Sequence, residues 1–248
     1  MDKKVILITG GISGIGRAAA LAFAKQGDTV VVAGRREAEG KALEAELKAI
    51  GGDALFVQTD VRRDDEVAAL IDQTVARFGR IDAAVNAAGT EGQPGLIVDQ
   101  SAESYAATFD TNVLGTLLSM KHEIRVMQAQ GHGNIVNVSS TFGHRGGAYA
   151  SVYSASKHAV EGLTASAALE TAGTGVRVNA VAPGATQTDM LDRFTGSDEN
   201  KAGLLSTVPM KRAGHVEELA GAILFLASDQ AGYMTGHVLS VDGGKSAG

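Results

Sequence analysis

The chain has 248 residues and is 44% hydrophobic, which suits one domain with a sizeable core. A net charge of −6 leaves no basic excess to displace counterions from a phosphodiester backbone, so nucleic acid is an unsuitable partner. Cysteine is absent, which excludes disulfides, a thiol nucleophile and cysteine-held zinc, and no stretch of about eighteen apolar residues offers a membrane span.

From the amino end, short runs of β-branched residues alternate with longer amphipathic stretches. The strand candidates are VILIT (5–9), TVVVA (29–33), ALFVQ (54–58), DAAVN (82–86), NIVNVS (134–139), VRVNAVA (176–182) and HVLSV (237–241). Between them lie helical patterns such as EGKALEAELKAIG and DDEVAALIDQTVARFG, with apolar residues at helical spacing and a glycine near the end. The central strands read as nearly continuous apolar runs, as strands buried on both faces must. This alternation implies an α/β fold: a Rossmann-type, doubly wound, seven-stranded parallel sheet with helices on both faces, a three-layer sandwich. Three prolines and no low-complexity linker point to a single domain over residues 1–248. The first strand starts at Val5, which leaves no room for a signal-peptide apolar region, so a cytoplasmic location is expected. The one long irregular segment is 183–213, and loops of that length are functional or mobile. Within it, 189–207 mixes Met190, Leu191, Phe194, Leu204 and Leu205 with the polar run SDENK. That is the pattern of a helical flap, and 185–212 is read as a substrate lid.

TGGISGIG, Thr9 to Gly16, follows the first strand and opens the first helix. Here Gly10, Gly14 and Gly16 allow a tight turn, close approach of backbone N–H groups to a pyrophosphate, and tight helix–strand packing. Ser13 and Ile15 lie in the same turn, and the absence of a following Gly-Lys-Ser/Thr excludes a Walker loop. Further polar signals close the other strands: Arg35 and Arg36, Asp60 with Val61, Asn86-Ala87-Ala88-Gly89, Ser139 and Ser140, and Pro183-Gly184. All map to the carboxyl edge of one sheet, where open α/β folds bind ligands. Tyr153 and Lys157 stand four apart in a helical stretch, so both lie on one helix face. Tyr105, Tyr149 and Tyr233 have no lysine at that spacing. Either Ser139 or Ser140 could serve as a neighbouring hydroxyl.

These residues carry a resemblance. The chain is similar to a short-chain dehydrogenase/reductase of the compact single-domain branch along essentially its whole length. The match rests on Thr9-Gly10-x-x-x-Gly14-x-Gly16, Asp60, Asn86-Ala-Ala-Gly89, Asn112, Ser140, Tyr153-x-x-x-Lys157, Pro183-Gly184 with Thr188, and VDGG at 241–244. Ala87 departs from it, since the family often has a second asparagine there. The resemblance selects Ser140 over Ser139 and implies hydride transfer between a nicotinamide and a small carbonyl or alcohol substrate. Tyr153 would be the general acid or base, and Ser140 would hold the substrate oxygen. Lys157 would bind the nicotinamide ribose and favour the phenolate, and Asn112 would anchor a relay water. Lowering a phenol's pKa by about 3 units takes roughly 4 kcal/mol. Asp60 would meet the adenine and Thr188 the carboxamide. The substrate pocket is expected between Thr90 to Gln93, Thr141 to Arg145, Tyr149 and the 185–210 segment.

NADP is the expected cofactor, with NAD as the alternative. An NAD enzyme usually ends its second strand in a carboxylate that takes the ribose hydroxyls. Here that position is Gly34, followed by two arginines that can fork onto a 2′-phosphate. A homotetramer is expected by resemblance, supported by apolar and small residues on 101–130 and 149–172, including Val113, Leu117, Met120, Ala159, Leu163, Ala167 and Ala168. Two rival readings are a 3-oxoacyl-[acyl-carrier-protein] reductase and a sensor or scaffold that binds NAD(P) without turnover. Against the first stands MQAQGHGN before the fifth strand, which lacks the basic residues suited to an acidic carrier. Against the second stands the intact tyrosine–lysine pair. The six histidines show no metal-ligand spacing.

Overall fold

The computed structural model describes residues 3–247. Seven strands are present: β1 Val5–Thr9, β2 Thr29–Gly34, β3 Ala54–Gln58, β4 Ala83–Asn86, β5 Gly133–Val138, β6 Val176–Pro183 and β7 Val238–Val241. Each falls within a residue or so of its sequence expectation. They form one parallel sheet in the order β3-β2-β1-β4-β5-β6-β7. Helices α1 Gly14–Lys25, α2 Glu37–Ile50 and α3 Asp64–Phe78 serve the first half of the sheet. The second half carries α4 Ala102–Phe109, α5 Gly115–Gln130, α6 Ser151–Thr171, α7 Asp189–Thr195, α8 Asp198–Ser206 and α9 Val216–Ala227. This is the doubly wound three-layer sandwich that the alternation implied.

Alternation along β1 explains the layers. All five of its residues are buried. Ile6 and Ile8 pack into one core with Phe23 of α1 and Leu219, Ile223 and Leu226 of α9. Leu7 points the other way, into a core with Leu70 and Ile71 of α3 and Met120 and Met127 of α5. A strand covered on both faces has no use for polar residues, and each such side chain contributes about 1.5–3 kcal/mol by burial. Gly51 and Gly79, both at positive φ, end α2 and α3 in left-handed caps, as the glycines in those patterns implied.

Two expectations change. The segment 183–213 is less irregular than its composition suggests, because Thr188 and Ser197 cap α7 and α8 with side-chain hydrogen bonds. The apolar residues of α5 and α6 are also mostly needed within the subunit. Met120, Ala167 and Ala168 are buried in the second core, because these helices pack against β5 and β6 along more of their faces than the sequence suggested. Tyr105, Leu114, Leu117 and Leu169 remain as exposed apolar groups on α4, the turn before α5, α5 and α6.

Candidate active site

Parallel register brings the strand ends into one line: Thr9 pairs with Ala33 and Asn86, and Asn86 pairs with Asn137. The turns leaving that edge surround a cleft of 760 Å³. It runs from Arg35 and Asp60, past Ile12–Gly16 and Ala87–Gly89, to Ser140, Tyr153 and Lys157.

The turn after β1 forms one end. Gly10 has φ +67°, and a Cβ there would sit 2.5 Å from the Ala88 nitrogen, so glycine alone lets the two turns pass backbone to backbone. Ser13 is the N-cap of α1, yet no side chain caps the helix, and its first turn holds no acid. The orphan N–H groups and the positive end of the helix dipole therefore face the cleft without an internal anion. Ser13, Gly14, Ile15 and Gly16 all line it. A pyrophosphate fits this end, which is the fit a dinucleotide requires.

The β2 end is equally informative. A Cβ on Gly34 would lie 2.9 Å from Ile12 Cδ1, so a carboxylate could stand there only if Ile12 moved. Glu37 pairs with Lys41, and Arg36 with Glu39 at 3.3 Å. Arg35 lines the cleft and has no ion-pair partner among the described residues, which leaves a whole guanidinium available. Asp60 and Val61 form the adjoining wall. The Asp60 carboxylate is held by Arg62, chiefly through the side-chain hydrogen bond, which lowers its pKa.

Asn86 and Asn112 commit their side-chain amides within the protein, and Thr188 lines the cleft. Asn86 turns its side chain into the protein rather than the cleft: its amide donates to Glu123 Oε2 and Asn137 Oδ1 at 3.0 Å each, and its oxygen accepts from Thr9. Asn112 lies in a π-helical turn, Asp110–Leu114. Its amide donates to the Thr90 carbonyl and Ser156 Oγ, and its Oδ1 accepts from the Thr90 N–H at 2.8 Å. Both amide hydrogens are thus committed, and one Oδ1 lone pair is all that remains for a relay water. Thr188 Oγ1 caps α7, accepting from the Leu191 N–H. It touches the phosphate turn, since a Cβ at Gly14 would meet Thr188 Cγ2 at 3.5 Å.

Ser140 and Tyr153 converge at the other end of the cleft. Ser139 donates to Glu161 at 2.8 Å, which leaves Ser140 as the hydroxyl available to the cleft. Ser140 lies close enough to the Tyr153 phenol to favour its ionisation. Lys157 is buried and stands over the Tyr153 ring, its Nζ 5.7 Å from the centroid, while donating to the Val138 carbonyl at 2.8 Å. Gly89 fills the gap between Asn112 and Lys157: a Cβ there would lie 3.3 Å from Asn112 Oδ1 and 3.6 Å from Lys157 Nζ.

Burial dominates the electrostatics of the Tyr153–Lys157 pair. Desolvation pushes the Tyr153 phenol up to about 12, with Glu91 adding to the rise and Ser140 opposing it. The Lys157 ammonium donates to the Val138 carbonyl while standing over the Tyr153 ring. Burial pushes Lys157 itself down to about 8, with Glu161 working the other way. Burial thus favours the protonated phenol, and positive charge in the cleft works the other way.

The substrate side holds Glu91, Phe142, Met190, Arg193, Phe194 and Leu204. Arg145, expected in this wall, instead donates to the carbonyls of Lys245 and Ser246 at 2.8 and 2.7 Å and so pins the carboxyl-terminal tail. Tail pinning brings Lys245 to the cleft, a contact between residues 100 apart that sequence spacing does not reveal. The sequence reading also missed Glu123, fully buried with Oε1 unpartnered. A signal was present: Thr116, Met120, Glu123 and Met127 share one buried helical stripe.

The family model described as enoyl-(acyl carrier protein) reductase matches residues 10–246. The chain belongs to the short-chain dehydrogenases/reductases. It is 44% identical to an uncharacterized oxidoreductase of Thermotoga maritima, over 98% of each chain. It is 41% identical to a 3-oxoacyl-[acyl-carrier-protein] reductase of Synechocystis, over 98% of this chain and 97% of that one. Among solved structures, ElxO with NADP bound superposes with a TM-score of 0.92 at 37% identity, covering 100% of both chains. Like other short-chain dehydrogenases/reductases, the protein is an oxidoreductase acting on alcohol and carbonyl groups.

Proposed function

We propose that this short-chain dehydrogenase/reductase is an NADP(H)-preferring enzyme that interconverts a small carbonyl compound and its alcohol. The observation that carries the cofactor preference is the unpartnered Arg35 beside a strand end that has no carboxylate. The NADP held by the related ElxO agrees with it. The backbone from Gly10 to Gly16, with Ser13, Gly14 and Ile15 at its centre, would hold the pyrophosphate. Arg35, with Arg36, would hold the 2′-phosphate, and Asp60 and Val61 the adenine. Asn86 would act indirectly, by fixing the Ala87–Gly89 turn. Tyr153 and Lys157 would hold the nicotinamide ribose, and Pro183, Gly184 and Thr188 the carboxamide side.

When bound, a nicotinamide would supply the hydride for reduction or take it up in oxidation. Tyr153 delivers its phenolic proton to the substrate oxygen, and Ser140 donates a hydrogen bond to that oxygen as negative charge develops there. Lys157, over the ring, favours the phenolate once the proton has left. Asn112 holds the Thr90 backbone and Ser156 together, keeping Gly89 against Lys157. The apolar wall of Phe142, Met190 and Phe194 suits a substrate with hydrocarbon around the reacting carbon and limits water.

A 3-oxoacyl-carrier substrate is the second reading, favoured by the Synechocystis relative. The stretch MQAQGHGN, without lysine or arginine, weighs against it. The exposed Tyr105, Leu114, Leu117 and Leu169 support assembly of copies, for which a homotetramer is the proposed form, and a cytoplasmic location accords with the absence of cysteine. Among the described residues no helix is long and apolar enough to cross a membrane. The test is NADPH and NADH oxidation against ketones, aldehydes, sugars and an acyl-carrier thioester. NADPH-linked turnover of a free small carbonyl supports the reading. A preference for NADH, or turnover of the carrier thioester alone, overturns it.

A further inference from the structure

Tyr153, Lys157 and Glu161 stand at successive turns of α6, so the three share one side of that helix. Tyr153 and Lys157 line the cleft, and Glu161 does not. It reaches instead the root of the loop that leaves β5 and carries Ser140. Lys157 Nζ donates to the Val138 carbonyl at 2.8 Å, and one residue further on Ser139 Oγ donates to Glu161 Oε1, also at 2.8 Å. The same carboxylate oxygen lies 3.2 Å from Nδ1 of His144. A carboxylate only accepts, so this contact calls for a proton on Nδ1. One oxygen thus ties the residue before Ser140 to the residue four positions after it, and the loop between them closes over the carboxylate.

The loop is shaped to that carboxylate. A Cβ on Gly143 would overlap Glu161 Oε1 and lie 2.5 Å from Ser139 Oγ, so glycine alone lets the backbone pass so close. The Glu161 side chain is only 14% exposed there. Inside the loop, the Gly143 N–H donates to the Ser140 carbonyl at 2.7 Å and the Phe142 N–H to Ser140 Oγ at 3.2 Å. The Ser140 hydroxyl therefore accepts from the backbone and keeps its own hydrogen for the cleft. Phe142, on the same loop, meets the Tyr153 ring edge-on at 6.3 Å between centroids. Glu161 lies under the one segment that supplies both a hydroxyl and an aromatic wall to the site.

We propose that Glu161 is the positioning residue for Ser140. By accepting from Ser139 and His144 it turns the Ser139 hydroxyl inward, fixes the loop between them, and presents the Ser140 hydroxyl to the substrate oxygen. Glu161 acts only through Ser140, and the inference rests on the oxygen-holding role proposed for that serine. Its effect on turnover should vanish once the Ser140 hydroxyl is gone.

The test is a double-mutant cycle in the full-length enzyme, read as NADPH oxidation with the free carbonyl turned over fastest in the panel above. Ser140→Ala should lower kcat by about 10²-fold or more. Glu161→Ala should lower kcat by about tenfold or more while leaving KM for NADPH within about twofold. In the Ser140→Ala background, Glu161→Ala should cost less than about twofold further, because nothing is left to position. Glu161→Gln keeps an oxygen that accepts from both partners and should retain at least about a third of the parent kcat. A second readout needs no substrate: amide exchange over residues 139–145, followed by mass spectrometry, should be about tenfold or more faster in Glu161→Ala and near the parent rate in Glu161→Gln. If Glu161→Ala fails to fold, Ser139→Ala removes one of the two ties and must show the same dependence on Ser140. Full activity of Glu161→Ala, a loss that multiplies with that of Ser140→Ala, a Glu161→Gln variant as slow as Glu161→Ala, or unchanged exchange overturns the inference. Near-parent activity of Ser140→Ala would overturn the role proposed for that serine instead, so the two failures are distinguishable.

Discussion

The sheet has a cavity at each edge, and they are nearly equal in size: 760 Å³ at the carboxyl edge and 720 Å³ at the amino edge. Both are lined by charged residues. At the amino edge the charges answer one another. Asp82 accepts from the Val5 N–H at 2.8 Å, from His132 at 3.1 Å and from Arg80. Arg177 donates to the carbonyls of Leu226, Ser228 and Met234 at 3.0 Å each, closing the end of α9. At the carboxyl edge polar capacity is left over: an uncapped helix start, an unpaired Arg35, and the hydroxyls of Ser140 and Tyr153. Volume does not make a site; uncommitted polar groups do, since a buried or half-buried group without a partner is costly unless a ligand supplies one.

The strongest attack on this comparison is at Tyr153. Tyr153→Phe should lower turnover by about 10²- to 10⁴-fold while leaving the melting temperature unchanged and NADPH still bound. Steady-state kinetics beside a cofactor titration would check it, and retention of more than about a tenth of the rate would sink the assignment.

A second test separates the edge from the core behind it. Burial pushes the Glu123 carboxyl up to about 7, with the Asn86 hydrogen bond opposing. An acid with a raised folded pKa keeps its proton longer in the folded state than in the unfolded chain. Its contribution to stability is full below about pH 4.5, is lost as pH rises toward 7, and stays lost above. The parent should lose on the order of 3 kcal/mol across that window, and Glu123→Gln should remove the slope. Denaturant melts of both proteins at several pH values would measure it; parallel curves would refute it.

At the amino edge, Arg177→Met keeps bulk but leaves three carbonyls without their donor. It should cost about 1–3 kcal/mol of stability and leave kcat/KM within about twofold. A large kinetic effect would mean that this edge is more than structural. The smallest expected effect is at Arg35. Arg35→Ala should reduce the NADPH-over-NADH ratio of kcat/KM by about tenfold or more, mainly through KM for NADPH. An unchanged ratio would assign the arginine to the solvent.

What could be read without the fold was what repeats or clusters locally. Seven β-branched runs and their helical spacers gave the doubly wound sheet, because burial on both faces forces a continuous apolar run. The glycine turn, the strand-end positions and the Tyr153–Lys157 pair were legible because a parallel sheet sends every strand's carboxyl end to one edge. Tertiary packing decided the rest. It turned Asn86 inward onto Glu123, committed the Asn112 amide to Thr90 and Ser156, drew Arg145 to the tail and joined Glu91 to Arg193. These partners lie 22 to 102 positions apart, and the choice among many possible polar partners is made by which side chains the packed helices leave facing each other. The protonation of Tyr153 belongs to the same class. The sequence placed a lysine four residues away, but burial, a property of the folded chain, pushes the phenol up.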